Sequence, residues 1–307
     1  MVFKEEVEDF IKTINRGPLK EYFLPKTPGV KKINWNDDDI YVKALYQGYL
    51  DACRTFVQPK GTNKSLTNET KKREYIEKIM QDSIVCQIRE YLNNPKSASF
   101  DILHETLYTN LKECFSKEKI NVTYGQAQKI VNMAFKYLYC IYYKYGNFND
   151  AQFTDCHMPI DSFSIEWFKR CFKYDDFSNE KEALKLEEKL FKKDKNGKLL
   201  LKADLIGAWS SMDSINNTQG EKYPYEFYRD KIKAYCKERD NINSPLELDF
   251  FVWSKMKKIM EAEAFINIWG GTVEAEDKKS ELEKYDIDKL EKILNNKVDK
   301  IKCLING

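Results

Sequence analysis

Histidine is nearly absent from this chain, with only two in 307 residues, at positions 104 and 157. A zinc site built on several histidines is thereby excluded, and neither histidine has an arginine five residues upstream, which counts against the helical ribonucleases that use that spacing. Close cysteine pairs are missing too: the eight cysteines at 53, 86, 114, 140, 156, 171, 236 and 303 lie scattered, so neither a zinc nor an iron–sulfur ligand set is expected. Cys156 and His157 are neighbours, but adjacent side chains seldom meet at one substrate atom. The longest apolar run, Tyr137 to Tyr143, is far too short to cross a bilayer. No phosphate-binding loop or dinucleotide glycine turn occurs, strand-like alternation is scarce, and no repeat stands out. The N-terminal stretch turns acidic at once at Glu5 and Glu6, unlike a secretory leader, so a soluble, cytoplasmic protein with reduced thiols is expected. A net charge of +2 leaves room for only a local basic patch.

What is plentiful is aromatic side chains, 18 Phe, 19 Tyr and 5 Trp, and helical periodicity. An all-α, multi-helix fold is expected, with helices over 3–15, 40–56, 71–92, 100–115, 124–144, 161–174, 223–235 and 246–268 and a small sheet around 196–201. The run Asp37-Asp38-Asp39 reads as a helix cap rather than as metal ligands, and Ser244-Pro245-Leu246-Glu247 as a second helix start with a capping box. Three regions follow: an N-terminal helical region over 1–100, a helical domain over 101–269 that carries the candidate site, and a peripheral helical tail over 270–307, rich in lysine and glutamate, which suits a short helical hairpin or a docking arm for a protein partner.

The chemistry concentrates in two places. Gly125-Gln126-Ala127-Gln128-Lys129 opens an apolar helix whose polar stripe is Lys129, Asn132 and Lys136, spaced about a turn apart. A lysine near a helix N-terminus among apolar residues is expected to lose both hydration and dipole support, which favours the neutral amine that a nucleophile needs. Pro159-Ile160-Asp161 then starts another helix, with Asp161 placed to cap it and to face a developing cation.

The element Gly125-x-Ala127-x-Lys129 with the later Pro159-Ile160-Asp161 resembles the signature of the helix-hairpin-helix DNA glycosylases over residues 110–175, and its wide spacing is most similar to the archaeal 8-oxoguanine branch. Ala127 stands where that family has its second hairpin glycine, and Val122-Thr123-Tyr124 where it has Leu-Pro. The resemblance implies a helix-hairpin-helix element around 110–144, Lys129 as nucleophile, Asp161 as catalytic carboxylate, and a hairpin at Gly125 and Ala127 that approaches a DNA phosphate. It implies no cofactor and no metal, double-stranded DNA with a flipped, modified base as the partner, and a monomer. Tyr124, His157, Phe163, Trp209 and Trp253 are the candidates to contact the base; Lys136, Lys169, Arg170 and Lys173 are those for backbone phosphates. This reading expects a positive groove and a base-sized aromatic pocket beside Lys129 and Asp161. The alternative is a non-enzymatic helical module that binds nucleic acid or protein, with Lys129 in solvent and Asp161 as a cap alone.

Overall fold

The computed structural model describes residues 3–24, 33–56, 84–95, 99–117, 120–145, 149–171, 191–193, 199–201, 206–214 and 223–269. The fold is all-α: α1 (Lys4–Thr13), α2 (Lys20–Phe23), α3 (Asp38–Ala52), α4 (Cys86–Asn93), α5 (Phe100–Lys117), α6 (Tyr124–Lys144), α7 (Ser162–Cys171), α8 (Tyr225–Lys237) and α9 (Pro245–Trp269). One antiparallel pair, β1 (Phe191–Lys193) and β2 (Leu199–Leu201), joins Phe191 to Leu201 and Lys193 to Leu199. The expected sheet is therefore present, and its first strand begins at Phe191, upstream of the expected 196–201. Most of the 71–92 helix and the whole 270–307 tail lie outside the described residues. Among the described residues no helix is long and apolar enough to cross a membrane.

The chain divides into two compact units, one made of residues 1–161 with 207–250, the other of 162–206 with 251–307. The first is organised around α6. Its start is set by a complete capping box: Thr123 Oγ1 accepts from the Gln126 N–H at 3.1 Å, and Gln126 Oε1 accepts from the Thr123 N–H at 3.0 Å. Every residue from Tyr124 to Tyr142 is buried. Such a helix has no solvent side, so its neighbours must cover it all round. α3 crosses it at Gly48, where a methyl group would overlap the Ile130 carbonyl oxygen; only glycine lets the two backbones come that close.

Caps behave largely as the sequence suggests. The Asp37 side chain accepts from the Asp39 N–H at 3.1 Å to start α3, and Ser244 Oγ accepts from the Glu247 N–H at 3.1 Å at the head of α9. The aromatic residues pack mainly against each other. Phe10, Tyr139, Phe153 and Phe250 form one cluster, and Phe100, His104, Tyr124, His157 and Tyr225 another. Ring pairs of this kind add about 0.5–1.5 kcal/mol each beyond their area.

Candidate active site

Lys129 and Asp161 meet. Lys129 Nζ donates to Asp161 Oδ2 at 2.7 Å across 32 positions of sequence, and the two side chains retain only 10% and 14% of their exposure. Lys129 is the sixth residue of α6, so it sits in the second turn rather than the first. Its ammonium lies 4.9 Å from the centre of the Trp209 ring. Asp161 immediately precedes α7. Of the residues expected to contact a base, Trp209 has its ring against the Lys129 ammonium.

Several other candidates are placed differently. Gly125 and Ala127 are not in a hairpin; both are buried within α6. The Gly125 N–H donates to the Met212 carbonyl at 3.0 Å, and a methyl at Gly125 would overlap the Trp209 carbonyl oxygen. The glycine serves a backbone crossing inside the protein, so its amide is not offered to a phosphate. Lys136 is no phosphate ligand either: at 1% exposure its ammonium donates to Asp249 Oδ2 at 2.5 Å and lies 4.0 Å and 4.7 Å from the Phe10 and Phe250 ring centres. Tyr124 is core, with its hydroxyl donating to Glu105 Oε2 at 2.8 Å.

Phe163, Lys169, Arg170 and Trp253 belong to the second unit. There Lys169 pairs with Glu166 at 2.7 Å and Trp253 lies under Lys257 at 5.1 Å. Lys173 lies outside the described residues. A groove of about 570 Å³ runs along α5 past Tyr108, Lys112, Glu113 and Val122; neither Lys129 nor Asp161 lines it, so it is not the pocket expected beside them.

Sequence reasoning missed how much charge α6 buries. Tyr137 donates to Asp51 Oδ2 at 2.7 Å and Tyr139 to Glu247 Oε1 at 2.8 Å. Burial pushes the carboxyls of Asp51 and Asp249 up, against the opposing pull of their hydrogen bonds and of Lys129 and Lys136.

His157 belongs to a separate polar chain. Asn132 Nδ2 donates to the Tyr225 hydroxyl at 3.1 Å, that hydroxyl lies 2.9 Å from His157 Nδ1, and His157 Nε2 lies 2.5 Å from Asp101 Oδ1, which also accepts from Lys233 at 2.6 Å. A neutral imidazole protonated on Nε2 satisfies every contact, a tautomer assigned from the network. The hydrogen bond from His157 and the charge of Lys233 hold Asp101 well below the usual carboxylate range. Burial pushes His157 down to about 4, against the pull of Asp101. His104, stacked 5.3 Å from Tyr225, is driven the same way by burial, and its Nε2 has no hydrogen-bond partner among the described residues.

A folded imidazole that resists protonation costs stability once the unfolded one takes up its proton. Stability should therefore fall as pH drops from 6.5 through about 4, by on the order of 3 kcal/mol for His157. Urea unfolding of wild type and His157→Gln at about pH 7 and about pH 4.5 measures this directly, since the variant should lose the share of the slope that His157 carries. Burial of His104 contributes a slope of the same sign in both proteins. An unchanged slope in His157→Gln would show that other groups carry the acid sensitivity.

No family model, no curated protein and no solved structure matches the chain.

Proposed function

We propose that this chain is a lysine-dependent base-excision enzyme that acts on an oxidised or otherwise modified base in double-stranded DNA. The observation that carries the reading is the 2.7 Å pairing of Lys129 with Asp161, nearly buried yet still touching solvent, beneath the Trp209 ring. These are the two residues that the glycosylase resemblance nominates, and the fold brings them together from different elements.

In this reading Asp161 holds the lysine in place and takes up its proton, because a lysine held in an ion pair must be deprotonated before it can attack. The Lys129 amine then bonds to the deoxyribose C1′ while the N-glycosidic bond breaks. The electron pair of that bond leaves with the base, which takes from Asp161 the proton that came from the lysine. The carboxylate so regenerated offsets positive charge on the sugar as it develops. Ring opening converts the adduct to a Schiff base, which supplies lyase activity. The scattered cysteines support a reducing, cytoplasmic compartment.

Borohydride trapping on duplex DNA carrying 8-oxoguanine or an abasic site tests the reading. A covalent adduct is expected in wild type and is lost in Lys129→Ala. Asp161→Asn should slow its formation by about 100-fold or more, the scale set by removing one electrostatic partner from a transition state. An adduct that persists in Lys129→Ala would assign the chemistry to another amine.

A second reading is favoured by one observation: the Gly125 amide is bonded to Met212 inside the fold, so no hairpin at 125–127 faces outward. On that reading the chain is a helical module that binds nucleic acid or protein. Absence of both adduct and base release across a panel of lesions would select it.

A further inference from the structure

Gln128 is fully buried, and its carboxamide grips the backbone of Ile160 at both polar groups. Nε2 donates to the Ile160 carbonyl at 2.8 Å, and Oε1 accepts from the Ile160 N–H at 3.1 Å. Its other two bonds stay within α6: Nε2 donates to the Gly125 carbonyl at 2.9 Å, and Oε1 accepts from Asn132 Nδ2 at 3.0 Å. All four valences of the amide are thus used. Asn132 Nδ2, whose two hydrogens serve Gln128 and Tyr225, also lies 3.3 Å from the Met158 carbonyl. Lys129 follows Gln128 directly, and Asp161 follows Ile160 directly. The clamp therefore lies one peptide unit from each member of the ion pair.

We infer that Gln128 is the positioning residue of the Lys129–Asp161 pair: through Ile160 it sets where the carboxylate stands relative to the lysine. The inference rests on the lysine–aspartate reading of the site. The chemistry requires an amide, because one end must donate to a carbonyl while the other accepts from an N–H. An ionised glutamate offers two acceptors, sets an oxygen against the Ile160 and Gly125 carbonyls, and buries a charge. A protonated glutamic acid restores the Ile160 pattern, with its hydroxyl donating to the carbonyl and its carbonyl accepting from the N–H.

The test follows the Lys129 ammonium itself by nitrogen-15 NMR of the lysine side chains in the full chain, with the signal identified by its loss in Lys129→Arg. Asp161→Asn supplies the signal of the unpaired lysine. In folded Gln128→Asn, and in Gln128→Glu at about pH 7, the Lys129 signal should move to that unpaired position. In Gln128→Glu it should return toward the wild-type position near about pH 5, where a buried carboxyl is protonated. Trapping rates should fall in parallel by about 10- to 100-fold, as expected for a misplaced catalytic pair. A folded Gln128 variant with the wild-type Lys129 signal overturns the inference. So does failure of both variants to fold, which would make Gln128 a determinant of the fold and not of the pair. Because the NMR readout needs no DNA, a wild-type protein that traps no substrate defeats the proposed function and leaves the Gln128 result standing.

Discussion

Lys136→Met is expected to destabilise the protein by about 3–5 kcal/mol, the usual cost of leaving one member of a buried ion pair without its partner. Asp249 would then be left at 5% exposure without its ion-pair partner. It would have to take up a proton or draw in water. The double variant Lys136→Met with Asp249→Leu should recover most of the loss, and could equal or exceed wild type, because apolar side chains of similar volume avoid the desolvation that the charges suffer. Urea unfolding of both single variants and the double variant closes the cycle. Additive losses, with the double variant no better than the sum of the singles, would show that the two groups are not coupled. The pair differs from Lys129 and Asp161 in one respect that matters for chemistry. Lys136 keeps 1% of its side-chain exposure and Lys129 keeps 10%, so only the latter can meet a substrate without unfolding the core.

Gly125→Ala should also be costly, by about 3 kcal/mol or more, and its sign is the informative part. Judged by helix propensity alone, alanine at this position would stabilise α6 by about 0.5–1 kcal/mol. The added methyl would instead overlap the Trp209 carbonyl oxygen and crowd Met212 Cβ at 3.1 Å. It would push away a segment that is tied down by the Gly125 N–H to Met212 at 3.0 Å and by Thr123 Oγ1 to the Ser210 carbonyl at 2.6 Å. Overpacking against backbone has no cheap relaxation. Thermal unfolding measures the loss, and a change in tryptophan fluorescence reports Trp209 leaving the Lys129 ammonium. A variant at least as stable as wild type would mean that the 209–212 segment does not hold its place against α6.

The all-α class and the extents of α6 and α9 are legible because apolar spacing and capping residues act locally: Thr123 and Gln126 start one helix, Ser244 and Pro245 the other. The convergence of Lys129 and Asp161 is legible only as a pairing of motifs. What failed to read through is depth. Along α6 the apolar positions are so dense that the polar stripe of Lys129, Asn132 and Lys136 looks like a solvent face, whereas all three are buried against Asp161, Tyr225 and Asp249. Nothing local distinguishes a solvated lysine from one whose carboxylate arrives 113 positions later. Gly125 misleads for a similar reason, since a glycine reserved for backbone crossing and one reserved for a turn carry the same letter. Glu247 fits the capping-box pattern with Ser244, and in the fold its Oε1 also accepts from Tyr139, a partner that sequence spacing cannot supply.

The interrupted make-up of the first unit bears on how the chain can be born. Residues 1–161 emerge from the ribosome with α6 complete in sequence but without Tyr225, Glu247 and Asp249, the partners of Asn132, Tyr139 and Lys136. Residues 162–206 must be synthesised before the missing strip at 207–250 appears. At about 5–20 residues per second that wait lasts several seconds, and throughout it α6 is without the partners that Asn132, Tyr139 and Lys136 have in the fold. A product that ends before residue 225 would lack all three of these partners, and is expected to expose apolar surface of the kind that chaperones and proteases recognise.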